Sequence, residues 1–266
     1  NLIVAATGTG KTMIAAFDFR KFLVENPNAK FLFVAHRIEI LKQSLHTFRN
    51  VLKDKNFGEL YGNGYEPKYK NAVFATVQTL SNLDFETYST KNYFDYIILD
   101  EAHHGQASTY KKIINYFDPQ ILLGLTATPE RMDGKSILPD FNNKIAAEIR
   151  LPDALNNKLL CHFQYFGISD SVDYSHIKWS SGKYDSAELT NIYTANDIRV
   201  GDIIKNLNDY TKDIHSVSAV GFCVSVEHAK FMQRKFCNAG LSAEYLVSEN
   251  SANREDIIHK FKNIGL

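Results

Sequence analysis

Two short stretches of this 266-residue chain combine residue types that handle phosphate and water. The first reads Ala6-Thr7-Gly8-Thr9-Gly10-Lys11-Thr12. It follows the apolar run 2–5 and opens a segment of helical length, which is the setting a phosphate-binding loop requires. Glycines let the backbone turn its N–H groups around an anion, a helix N-terminus adds partial positive charge, and Lys11 adds a full one. Thr12 would place its hydroxyl on a magnesium ion bridging the outer phosphates of a bound nucleotide. The general pattern has glycine five residues before Gly10, where this chain has Ala5. The second stretch, Asp100-Glu101, ends the apolar run 96–99. Ligands of parallel sheets sit outside the carboxyl ends of the strands, so these carboxylates emerge where the phosphate loop does. Asp100 is suited to hold magnesium, usually through water, and Glu101 to orient and deprotonate an attacking water. A solvated helix cap is the alternative for such a dipeptide; the buried strand before it and the phosphate loop upstream count against that.

The elements that must position these residues are legible as a pattern. Runs apolar almost throughout, at 2–5, 31–35, 72–76, 96–99 and 121–125, read as strands buried on both faces. Between them, 11–25, 37–52 and 108–117 have helical length, with Met13, Ile14, Phe17 and Ile38, Leu41, Leu45, Phe48 as core-facing sets. Strand–helix–strand alternation implies an α/β fold with a parallel, doubly wound sheet. From about residue 130 the texture loosens. Residues 167–196, rich in Ser, Asp, Tyr and Asn, read as a connector with a small packing unit around Trp179, Tyr174 and Tyr184, in preference to a surface that stacks on bases. An α/β pattern resumes with helices at 198–210, 226–238 and 253–261 and strands at 218–224 and 243–246.

Taken in order, Gly8-Thr9-Gly10-Lys11-Thr12, Asp100-Glu101-Ala102-His103 and Thr126-Ala127-Thr128-Pro129 resemble motifs I, II and III of the superfamily 2 DEAD/DEAH-box helicases and translocases. Val34-Ala35-His36-Arg37 is similar to motif Ia, Ala75 to Leu80 to motif Ib, and Gly221 to Ser225 to motif IV. The texture of 126–134 and 145–150 is closest to the bacterial restriction-subunit-like branch. The resemblance implies a RecA-like ATP-binding domain over 1–135, a connector over 136–197, and the first part of a second RecA-like domain over 198–266. It implies ATP and Mg2+ as cofactors, held by Thr7, Gly8, Thr9, Gly10, Lys11, Thr12 and His103, with Lys11, Asp100 and Glu101 as catalytic residues and Thr12 and Asp100 as metal ligands. His36, Arg37, Thr76, Gln78 and Thr79 would touch the sugar–phosphate backbone of a bound strand, and Thr126 and Thr128 would couple nucleotide state to its movement. DNA is preferred to RNA as that partner on family analogy.

Motifs V and VI, with the arginine fingers of the latter, find no match after Phe222, and the chain opens at Asn1 inside an apolar run. The segment therefore reads as a truncated core, whose missing motifs the rest of the polypeptide would supply. The expectation is an ATP-dependent translocase or helicase that hydrolyses ATP poorly in this form, since an arginine finger is worth roughly 10³–10⁵ in rate. The alternative is a nucleotide-binding module without significant turnover of its own.

Composition sets outer bounds. Basic and acidic residues balance at 30 each, yet 1–75 holds 11 basic against 6 acidic, so an anionic ligand would find its charge there. Cys161, Cys223 and Cys237 show no zinc or disulfide spacing, and no run reaches the roughly 18 apolar residues of a membrane span. A soluble, cytoplasmic protein without zinc is expected.

Overall fold

The computed structural model describes residues 1–102, 108–130, 136–169, 172–180, 182–247 and 254–263. His103 and residues 131–135 lie outside that set. The chain divides into two compact units, Asn1–Gln164 and Tyr165–Leu266.

In the first unit the elements run β1 (Leu2–Ala5), α1 (Lys11–Glu25), β2 (Phe31–Ala35), α2 (Ile38–Leu52), β3 (Glu59–Tyr61), β4 (Ala72–Thr76), α3 (Val77–Ser81), α4 (Phe85–Tyr88), β5 (Tyr96–Leu99), α5 (Ser108–Tyr116), β6 (Ile121–Thr126), β7 (Ile145–Ile149) and α6 (Leu151–Asn156). The seven strands form one sheet in the order β3-β4-β2-β5-β6-β1-β7. Every neighbouring pair is parallel. This is the doubly wound α/β sheet that the apolar runs predict.

Side chains alternate between the faces of a strand, so each central strand feeds two cores. Leu2, Val4, Leu32, Val34, Ile97 and Leu99 pack on one face, with Val77, Leu80, Tyr110 and Ile113 against them. Ile3, Ala5, Phe31, Phe33, Tyr96 and Ile98 pack on the other, beneath Ala15, Ala16 and Phe19 of α1 and Leu41, Leu45 and Phe48 of α2. Aromatic rings knit this second face: Phe31 lies 4.4 Å from Phe19 and 5.0 Å from Phe48, centroid to centroid. Such spacings add to what area burial alone contributes.

The first unit runs past the boundary expected at residue 135. β7 pairs with β1 from Leu2↔Ile145 to Ala5↔Ile149, and Ile137 and Phe141 are buried in the core. Within the segment read as a connector, Ile145–Ile149 thus adds a seventh strand to the sheet, and Ile137 and Phe141 add to its core. β7 is an edge strand whose residues are mostly exposed, so it lacks the continuous apolar signature that marks the central strands.

The second unit holds β8 (Trp179–Ser180), β9 (Lys183–Tyr184), α7 (Ser186–Thr194), α8 (Asp197–Tyr210), α9 (Val226–Asn238) and α10 (Arg254–Asn263). The strands expected at 218–224 and 243–246 are not formed. Part of their hydrogen-bonding capacity goes to side chains of α9: Val224 N–H donates to His228 Nδ1 at 3.3 Å, and Gln233 Nε2 donates to the Ala243 carbonyl at 3.2 Å. Val220 and Phe222 are 65% and 96% exposed, so neither has the packing that would select a strand. No helix among the described residues is long and apolar enough to cross a membrane.

Gly124 in β6 is fixed by close packing: a Cβ there would lie 2.6 Å from Phe141 Cζ and 2.7 Å from Leu2 Cδ1. Gly124→Ala is expected to cost about 1–3 kcal/mol, lowering Tm by roughly 2–12 °C in a thermal melt. An unchanged Tm would show that β6 and the 3₁₀ turn Leu138–Phe141 are not packed as described.

Candidate nucleotide site

Beyond β1 the chain must turn sharply to enter α1, and two glycines make the turn. Gly8 and Gly10 have φ of 89° and 87°, in the left-handed region that strains residues with a Cβ. Thr9 closes the loop on itself, its N–H and hydroxyl both donating to the Ala6 carbonyl at 3.3 and 2.6 Å. Gly10 offers no side-chain cap, and the first N–H groups of a helix have no intrahelical acceptor. Lys11 Nζ lies over the loop and donates to the Ala5 and Ala6 carbonyls at 2.9 and 3.5 Å. Uncapped N–H groups beside an ammonium make a cradle for a polyanion. The space over Gly8 is limited by Leu160, whose Cδ2 would lie 3.0 Å from a Cβ there.

Asp100 follows β5 and extends its ladder by one bond, its N–H donating to the Val34 carbonyl at 2.9 Å. The side chain is buried, at 6% exposure, and Oδ1 accepts the Glu101 N–H at 3.0 Å. Burial pushes the Asp100 carboxyl up to about 6, and the Glu101 charge adds to the rise; the Glu101 N–H and the Lys11 ammonium pull the other way. The ammonium and the carboxyl therefore share one electrostatic neighbourhood, although β6 separates their strands. Burial without full compensation by cations is the condition under which a carboxylate gains most from a metal ion. The Asp100 carboxyl and the half-buried Thr12 hydroxyl are oxygen donors, the kind that magnesium takes. Glu101 has φ 50°, an uncommon backbone state for a residue with a side chain.

The remaining candidates sit at the same strand ends. Thr126, fully buried at the end of β6, donates its hydroxyl to the Thr128 carbonyl at 2.8 Å and accepts the Thr128 N–H at 3.1 Å. This local turn shapes the strand end that lies between β1 and β5. His36 follows β2, its ring 5.5 Å from that of Tyr110, and the exposed Arg37 is the N-cap residue of α2. Thr76 caps α3 by accepting the Thr79 N–H at 3.2 Å, and the two hydroxyls lie 2.7 Å apart. Gly62 packs directly on this pair, since a Cβ there would fall 2.6 Å from each hydroxyl oxygen. Gln78 is exposed and Thr79 half-buried. His103 lies outside the described residues.

Sequence reasoning overlooked Tyr110. It is buried, and its hydroxyl donates to the Asp100 carbonyl at 2.8 Å. The only signal was an aromatic on an amphipathic helix, which is indistinguishable from any core residue.

Residues 1–131 match the family model described as Type III restriction enzyme, res subunit. A Saccharomyces cerevisiae protein named as an ATP-dependent helicase, IRC3, is 28% identical over 272 residues, covering 97% of this chain and 39% of its own length. A 51.5 kDa protein of a Lactococcus phage is 28% identical, covering 98% of this chain and 52% of its own. The Type I restriction enzyme EcoAI endonuclease subunit of Escherichia coli is 26% identical, covering 89% and 31%. The chain spans between 31% and 52% of the length of these relatives.

Asp100 provides a pH test. Its folded value is raised from 3.8 to about 6, so below about pH 3 both states hold the proton and burial carries no charge penalty. The stability gained by keeping that proton is lost as pH rises through 6. In metal-free buffer Asp100→Asn is expected to stabilise by on the order of 2–3 kcal/mol at pH 7.5 and by almost nothing at about pH 3. Equal shifts in Tm at both pH values would contradict this.

Proposed function

We propose, for a chain that through residues 1–131 belongs to the superfamily 2 helicases of the restriction-subunit-like type, that it couples ATP hydrolysis to movement along nucleic acid, with DNA as the substrate strand. One observation carries the reading: a glycine-turned loop with its lysine within electrostatic reach of the buried Asp100, beside the half-buried Glu101, at the strand ends of a parallel sheet.

In this reading the N–H groups of residues 7, 8 and 10–12 and the Lys11 ammonium grip the phosphates, and Lys11 leaves its loop carbonyls to do so. Thr12 and Asp100 would hold magnesium, which supplies positive charge to the outer phosphates of bound ATP. Glu101 orients the attacking water and takes its proton. Its place next to Asp100 suits water activation better than transfer to a small alcohol.

Hydrolysis must be felt elsewhere to do work. The Thr126–Thr128 turn lies between the strands that carry the loop and the carboxylates, so it is placed to sense both. His36, Arg37 and Gln78 offer polar groups at the ends of β2 and β4 for a phosphodiester backbone. Thr76 and Thr79, whose hydroxyls are already engaged with each other, would contribute mainly by shaping the start of α3. Backbone contact gives grip without sequence reading, as movement along a strand demands. DNA is preferred because the Escherichia coli relative is named as a restriction-enzyme subunit.

Two substitutions separate binding from chemistry. Lys11→Ala is expected to weaken ATP binding roughly 10–150-fold, the worth of a charge-assisted hydrogen bond, in titrations with a fluorescent ATP analogue. Glu101→Gln should bind within about threefold of wild type yet lose about 10²–10⁴ in DNA-stimulated phosphate release. ATP affinity unaltered by Lys11→Ala would overturn the assignment.

A further inference from the structure

The second unit carries an aromatic face that no step above uses. β8 and β9 pair antiparallel with Trp179 opposite Tyr184 and Ser180 opposite Lys183, around a turn where Gly182 has φ 78°. Directly opposed residues share a face of the ladder. Trp179 and Tyr184 therefore stand together, their rings edge-on at 4.6 Å. Neither serves as core: they are 61% and 40% exposed, while the neighbouring Ile177 is buried.

A two-stranded hairpin is marginal alone, and this one is anchored. Tyr174 lies 6.1 Å behind Tyr184 and 6.4 Å from Tyr193 of α7, with the two tyrosine hydroxyls 3.2 Å apart. Tyr193 stacks on His228 of α9 at 5.0 Å and carries the Arg199 guanidinium of α8 at 4.3 Å. A continuous row of rings thus holds the exposed pair on three helices. Aromatic rings presented rigidly lose little freedom when a partner stacks on them.

Two ammonium groups flank the aromatic pair and are free to meet an anionic partner. Lys178 and Lys183 immediately precede the two aromatics, are exposed, and form no ion pair among the described residues. The carboxylates of this segment keep their charge but are directed to main-chain donors and not to the two ammonium groups: Asp185 accepts the Ala187 and Glu188 N–H groups at the start of α7, and Glu188 accepts the Lys178 N–H at 2.8 Å. Asp173 is turned to the Ser175 N–H and to His176.

We propose that the Trp179/Tyr184 face of the β8–β9 hairpin is a stacking site for unpaired bases of single-stranded nucleic acid, with Lys178 and Lys183 meeting the flanking phosphates. Stacking on an aromatic platform tolerates any base, because every base has a π-face. The inference rests on the nucleic-acid reading above and adds to it a site on the second unit.

Trp179 is the sole tryptophan of the chain, so it reports on its own occupancy. The 266-residue chain is titrated with unlabelled dT20 while tryptophan emission is followed, and with fluorescein-labelled dT20 while anisotropy is followed; rU20 is run in parallel to separate DNA from RNA. Emission should fall with the same midpoint at which anisotropy rises. Trp179→Ala should weaken binding about 5–150-fold and Trp179→Phe should recover most of it. Lys178→Ala with Lys183→Ala should flatten the dependence of log affinity on log salt by about 1.4. Binding by anisotropy with unchanged tryptophan emission, or with Trp179→Ala within twofold of wild type, overturns the stacking site and leaves the proposed function standing. Absence of both signals for both oligonucleotides overturns the two together.

Discussion

A parallel sheet whose strands are apolar on both faces leaves polar chain only at its two ends, and only one of those ends receives strands arriving in the same sense. In this chain that constraint comes from β1, β2 and β5, whose residues are buried throughout and alternate between two cores. Covering both faces with α1 and α2 on one side and α3 and α5 on the other requires each connection to return to the opposite edge before the next strand starts. The result is that the ends of β1, β5, β6, β2 and β4 bring Gly8 to Thr12, Asp100-Glu101, Thr126, His36-Arg37 and Thr76 to one edge. No single hydrogen bond does this; the burial of the strands does.

The electrostatics of the site follow from the same burial. Asp100 sits one residue beyond a fully buried strand, too deep for water to solvate its charge and held there by the Val34 and Tyr110 bonds to its main chain. Lys11, the cation whose charge reaches Asp100, is retained by the carbonyls of its own loop. Both groups therefore wait in a state that bound phosphate and a cation would relieve, and binding free energy can be drawn from that relief.

The central strands and the chemistry-bearing loops were legible because they depend on local pattern: continuous apolar runs, glycines before a lysine, carboxylates after a strand. What the pattern hid depends on partners. β7, with Ile145 and its neighbours exposed, is a strand only because β1 offers a ladder, and the loop-like texture before it concealed that Phe141 is core. Conversely, 218–224 has the composition of a buried strand and none of its pairing. Tyr110 looks like a core residue in sequence and becomes a support for Asp100 only in three dimensions. The sequence pattern makes Trp179 the core of a small unit, whereas the structure gives that place to Ile177 and leaves the indole exposed.

The central claim is that one edge of the sheet is the ATP site and that residues 6–12 and 100–101 act there together. Amide hydrogen exchange with and without ATP and magnesium tests it most directly, since N–H groups that grip phosphate stop exchanging. The account predicts protection concentrated in 6–12, with a second protected segment at 100–102, where Asp100 would hold the metal. Protection absent from 6–12, or confined to segments away from the strand ends, would contradict it.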